Sequence, residues 1–147
     1  AVKRIASGKD LIIVFNGRNN TIRKDEFAPK LLGKTKKGEL LYGYARLPYV
    51  NYHPACLSAA YPMAYDKQLE LEVKNFGLST SEETDLTVLV NGVKLAEGQV
   101  KVLSPYESVK LSLPCIHAAK IDNQTLFTIV YSQYGKEIRK ETIQNFD

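Results

Sequence analysis

Apolar and polar residues alternate strictly along Gln68–Asn75, which reads Gln-Leu-Glu-Leu-Glu-Val-Lys-Asn, and again along residues 85–90. A period of two puts every second side chain on one face, so each run predicts a strand with one buried and one wetted side. Val100 and Val102, then Val109, Leu111 and Leu113, carry the alternation on past Ser104-Pro105-Tyr106. Residues 126–131 are apolar on both faces, as expected of a central strand covered on both sides. Tyr134-Gly135 then turns the chain into Lys136–Ile143, whose dense charge suits an exposed edge that must not aggregate. Between these runs, Asn91-Gly92 is the strongest hairpin signal, because both central residues of a type I′ turn need positive φ. It is expected to join residues 85–90 to 93–97.

The first half is less regular. Residues 10–15 predict a strand, closed by Asn16-Gly17 and a polar loop. A short helical turn is expected over residues 25–32, with Asp25 as its cap and Pro29 and Gly33 limiting its length. Lys34-Thr35-Lys36-Lys37-Gly38 reads as a basic turn. Residues 39–47 read as a strand in which Gly43 suggests a bulge or a close backbone approach. Residues 48–62 are irregular and tyrosine-rich, with a short strand around 57–61. About six or seven strands at roughly ten-residue spacing, no long helix and no repeat predict an all-β fold, an antiparallel β-sandwich. Residues 68–147 are its core. Residues 1–67 form a basic N-terminal extension, packed onto the sandwich or lending it strands.

At 147 residues, 44% of them hydrophobic and 24% charged, the chain has the make-up of one globular domain able to bury a core without metal or disulfide support. The longest apolar run, Leu11-Ile12-Ile13-Val14-Phe15, is far too short to span a membrane as a helix. The chain starts at Ala1 without a leader pattern and reads as a processed product or an excised piece, which leaves its location open.

The net charge of +4 conceals an asymmetry. Residues 1–67 carry 12 Lys/Arg against 5 Asp/Glu, a net of +7, whereas residues 68–147 carry 8 against 11, a net of −3. A basic half fits an anionic partner, whether an acidic protein, nucleic acid or anionic lipid; the simpler account is that the two halves attract each other within one molecule.

A strand from Leu69, then Asn75-Phe76-Gly77, a polar Ser/Thr stretch, Leu86-Thr87-Val88-Leu89-Val90, Asn91-Gly92, Val100 to Leu103, Ser104-Pro105 and Val109 to Leu113 follow one another here. This order resembles the immunoglobulin-like, adhesion-type modules of the CARDB-like kind found in bacterial and archaeal envelope proteins. Other sandwiches, including appendage and transglutaminase-type C-terminal domains, share its turn grammar. The resemblance covers residues 68–143, and the charged final hairpin lacks the acidic, Asn-rich ending such modules often show. It implies a binding or spacer module rather than an enzyme, with an extracytoplasmic or cell-surface location favoured.

The chain offers several candidate chemical sites. Gly33-Lys34-Thr35 has the end of a phosphate loop, but Ala28 stands where the motif needs glycine and no apolar strand precedes it. His53 with Cys56 and Cys115 with His117 offer four zinc-type ligands at loose spacing, and no metal or other cofactor is expected. Cys56 and Cys115 form either one disulfide or two free thiols. No serine lies in a nucleophile elbow, and Glu70 and Glu72 alternate on a strand face where solvation is the ordinary role. The triplets Asn19-Asn20-Thr21 and Asn123-Gln124-Thr125 match a glycosylation pattern common by chance.

Six of the nine tyrosines fall within 24 residues, from Tyr42 to Tyr65, just after Lys34, Lys36 and Lys37. Tyrosine offers a large amphipathic surface to protein partners, and aromatic rings beside cations stack nucleobases. The simpler account is that Tyr42 and Tyr44 cover a core edge. The expected partner-binding set is Lys34, Lys36, Lys37, Tyr42, Tyr44, Arg46, Tyr49 and Tyr52, facing an acidic protein. Nucleic acid and carbohydrate are the alternatives, the absence of Trp counting against the latter.

Overall fold

A computed structural model describes residues 3–7, 10–14, 22, 26–122 and 124–143. Twelve strands and no helix are present among them, and every pairing is antiparallel. The first sheet holds β5 (Leu57–Ala59) and β6 (Met63–Tyr65), both beside β7 (Gln68–Asn75), and β10 (Ser108–Pro114) on the other side of β7. The second runs in the order β12 (Lys136–Ile143), β11 (Leu126–Gln133), β8 (Thr84–Val90), β9 (Val93–Val100). Two hairpins complete the strands: β1 (Lys3–Ser7) with β2 (Asp10–Val14), and β3 (Lys30–Lys34) with β4 (Leu40–Tyr44).

The period-two runs become the walls of one core. Leu69, Leu71 and Val73 of β7, with Leu57 and Ala59 of β5 and Leu113 of β10, share it with Leu86, Val88 and Val90 of β8 and Phe127, Ile129 and Tyr131 of β11. Apolar inner faces packed in this way define a β-sandwich. Tyr61 meets Phe127 edge to face at 5.6 Å, and the Tyr131 hydroxyl donates to the Leu57 carbonyl at 2.7 Å, tying the sheets together.

Asn91 and Gly92 take φ of 48° and 83°, the pair of positive values a type I′ turn demands. Tyr134 and Gly135 repeat the device at 51° and 71°. The register slips between Val88 and Leu89, so that Leu95 and Ala96 are both buried, and pairing carries β9 past the expected 93–97 to Val100. The alternation expected through Val102 stops there, since residues 101–104 form no strand and Val102 is exposed while Leu103 is buried. β11 is central and β12 an edge, as the apolar and charged runs predict.

The first half departs from expectation. Residues 26–29 form a bend and 30–34 a strand in place of a helical turn; Asp25 lies outside the described residues, as do residues 15–21 and Asn123 and hence an Asn of each glycosylation triplet. Pro29 denies a helix its ladder, and Leu32 gains more by facing the sandwich, where it packs on the core, than by turning with its neighbours. β5 and β6 pair with β7, so residues 57–65 lend strands to the sandwich, one of the two arrangements expected of the N-terminal part. None of the helices needed to cross a membrane occurs among the described residues.

Candidate functional site

The β3–β4 hairpin is held to the first sheet by side chains that point inward. Its register pairs Lys30 with Tyr44, Leu32 with Tyr42 and Lys34 with Leu40. Alternation places these six on one face and Leu31, Gly33, Leu41 and Gly43 on the other. On the inner face, Tyr42 donates to Glu72 Oε2 at 2.8 Å and Tyr44 to Glu72 Oε1 at 3.0 Å. Glu72, expected to be merely solvated on β7, is thus the anchor for two tyrosines. Burial, with the adjoining carboxylate, pushes the Tyr42 hydroxyl up to about 12 and that of Tyr44 higher still.

Arg46 forms the next tie. Its Nε donates to the Phe76 carbonyl at 3.0 Å, while its guanidinium lies 4.5 Å from the Tyr52 ring centre and 4.2 Å from that of Tyr106. A planar cation between two rings gains cation–π attraction on both faces. Tyr52 is buried; its hydroxyl donates to the Phe27 carbonyl and accepts from the Leu47 N–H, clamping the open end of the hairpin. Tyr44 also packs edge to face on Phe76 at 5.0 Å.

Beneath the clamp sits Asn75, fully buried. Its Oδ1 accepts from the N–H groups of Cys56 at 3.1 Å and Gly77 at 2.9 Å, and its Nδ2 donates to the carbonyls of Ser79 at 2.8 Å and Leu103 at 3.0 Å. One amide thereby joins three loops, and its backbone carbonyl holds Tyr106 through that residue's N–H at 2.9 Å.

The expected binding set therefore divides. Tyr42, Tyr44, Arg46 and Tyr52 are spent on internal contacts. Lys34, Lys36 and Lys37 are exposed around the hairpin tip, where Thr35 Oγ1 accepts from the N–H groups of Lys37 at 3.2 Å and Glu39 at 3.1 Å. Tyr49, at 68% exposure, stands on the neighbouring turn. Sequence reasoning missed Glu72, Tyr106 and Asn75. The signal for Asn75 was present in Asn75-Phe76-Gly77, since an Asn side chain accepting from the N–H two residues on is an Asx turn. Glu72 and Tyr106 carried none, because their partners lie about 30 residues or more away along the chain. Gly43 also differs: a Cβ there meets nothing within 4 Å, so it is neither a bulge nor an internal close approach.

The candidate disulfide is not formed, and both cysteines are free. Cys56 precedes Leu57, which pairs with Asn75; Cys115 follows Pro114, which pairs with Gln68. They lie beyond opposite ends of β7, roughly 30 Å apart along an extended strand, against a disulfide Cα separation of about 6 Å. The same separation keeps His53 and Cys56 from converging with Cys115 and His117, and His117 Nε2 lies 2.9 Å from the Lys94 carbonyl. Burial pushes the Cys56 thiol up, opposed by Arg46, and burial with Asp66 raises that of Cys115. A depression lined by Tyr65, Asp66, Lys67, Gln68, Glu70 and Ser112 is open to solvent, and in it Ser112 Oγ donates to Gln68 Oε1 at 2.6 Å.

No protein-family model matches the chain, and no curated protein matches its sequence.

Proposed function

We propose that the chain is a non-catalytic protein-interaction module on an immunoglobulin-like sandwich, its working surface the exposed side of the β3–β4 hairpin. One observation carries the reading: Tyr42, Tyr44 and Arg46 fasten the hairpin to the sandwich, and the fastened hairpin presents Lys36 and Lys37 at its tip. A loop held by a rigid scaffold is the usual platform for recognition. The lysines suit an acidic protein, and Tyr49 adds amphipathic contact area beside them. The immunoglobulin-like assignment is supported by two antiparallel sheets around one core, in the orders β10–β7–β5 and β12–β11–β8–β9, together with the resemblance over residues 68–143. That resemblance adds an adhesion-type setting in a cell envelope. A flat tyrosine platform for sugar is disfavoured by the inward turn of Tyr42, Tyr44 and Tyr52.

A photo-crosslinking residue at position 49 tests the reading, with capture compared between the parent chain and Lys36→Glu/Lys37→Glu. Loss of a specific protein adduct in the double variant is expected. Undiminished capture would sink the proposal, and adducts to nucleic acid that fade steeply with salt would replace it with nucleic-acid binding.

A further inference from the structure

The outward face of the β3–β4 hairpin is a square of four positions. Leu31 lies opposite Gly43 and Gly33 opposite Leu41, so the leucines occupy one diagonal and the glycines the other. Leu31 is 46% exposed and Leu41 55%. Glycine inside a strand weakens it unless something requires it there. Nothing among the described residues does: a Cβ at either glycine meets no described atom within 4 Å, and neither residue has positive φ. Bare backbone at such a position suits the close approach of another molecule's backbone.

On this basis, which rests on the reading of the hairpin as a protein-interaction surface, we infer that the outward face of β3–β4 docks a short extended segment of a partner protein, apolar at its centre and acidic at one end. The partner's backbone crosses the glycine diagonal, and its apolar side chains pack against Leu31 and Leu41. Its Asp or Glu residues reach Lys36 and Lys37 at the tip. Size argues for a segment over a second copy of the chain: five-residue strands in a pair cover roughly 16 Å by 10 Å. A stable protein pair needs about 800 Å² on each side, several times as much.

An array of random twelve-residue peptides, probed with the intact chain, is the test. Peptides enriched for Leu, Ile or Val flanked by Asp or Glu are expected, with at least tenfold weaker binding to Gly43→Val and to Leu31→Ser/Leu41→Ser. Gly43→Val removes a strand glycine and is expected to melt no lower than the parent, which separates lost docking from lost fold. Binding weakened by Lys36→Glu/Lys37→Glu but unchanged by the Gly and Leu variants would overturn the docking face and leave the interaction reading standing. An array without specific binding would remove both, and concentration-dependent dimerisation abolished by Gly43→Val would hand the face to a second copy.

Discussion

Asn75 Oδ1 accepts a hydrogen bond from the Gly77 N–H at 2.9 Å, and this short Asx turn sets the end of the sandwich on which the hairpin clamp rests. Phe76, between them, offers its carbonyl to Arg46 and its ring to Tyr44. The β3–β4 hairpin is thus tied to a buried amide in another layer of the molecule.

Replacing Asn75 by Ala leaves the buried N–H groups of Cys56 and Gly77 without their acceptor and takes a donor from the carbonyls of Ser79 and Leu103, the latter keeping the Ser81 N–H. Orphaned buried polar groups cost about 1–3 kcal/mol apiece before relaxation, so a loss of about 3 kcal/mol or more is expected in urea unfolding. A loss below about 1 kcal/mol would mean that water replaces the amide readily.

At Gly77 the constraint is steric. A Cβ there would sit 2.1 Å from the Pro54 carbonyl oxygen and 2.6 Å from the Ala55 Cα, both backbone atoms that cannot swing aside. Gly77→Ala is expected to lower the melting temperature at least as far as Asn75→Ala. A variant melting like the parent would show that residues 54–56 shift freely.

Alkaline pH should loosen the hairpin. Burial holds the Tyr42 hydroxyl at about 12 against an ordinary 10, with Glu72 adding to the rise, and burial also lifts Tyr61 to about 12 and Tyr44 further. A group whose folded pKa lies above its unfolded value contributes fully below the unfolded pKa, and that contribution is lost as pH climbs through the folded one. Stability should accordingly hold to about pH 10 and fall between 10 and 12. Tyr42→Phe/Tyr44→Phe is expected to be less stable at pH 8 and to lose less over that alkaline interval. Parallel curves for parent and variant would assign the alkaline loss elsewhere.

The cysteines should behave as two unlike thiols. Cys56 is buried and Cys115 half-buried, both with raised pKa. Mass spectrometry of the native chain is expected to show slow alkylation at Cys115 and none at Cys56 until urea is added. A mass increase on reduction would mean that the ends of β7 come together as a disulfide requires.

Much of the sandwich was legible because its information is local. Leu69, Leu71 and Val73 declare their shared face through a period of two, and Asn91-Gly92 declares its turn through the φ values that only a few residues tolerate. Residues 25–32 misled because a short apolar stretch such as Leu31-Leu32 serves a helix or a strand equally. The tyrosine-rich segment was legible as a cluster but not in its orientation. Tyr42 and Tyr49 look alike as residues, yet one turns to Glu72 while the other stands in solvent.

The sequence by itself determined the all-β class, the alternating strands β7, β8 and β10, the positive-φ turn at Asn91-Gly92 and the charged edge at β12, since each follows from side-chain period or backbone sterics over a few residues. Tertiary structure decided that Glu72 anchors Tyr42 and Tyr44, that Arg46 lies between Tyr52 and Tyr106, and that Cys56 and Cys115 stay apart. Those outcomes depend on which strands become neighbours and in what register. That choice is made by burial of the whole core, and no short stretch of the chain encodes it.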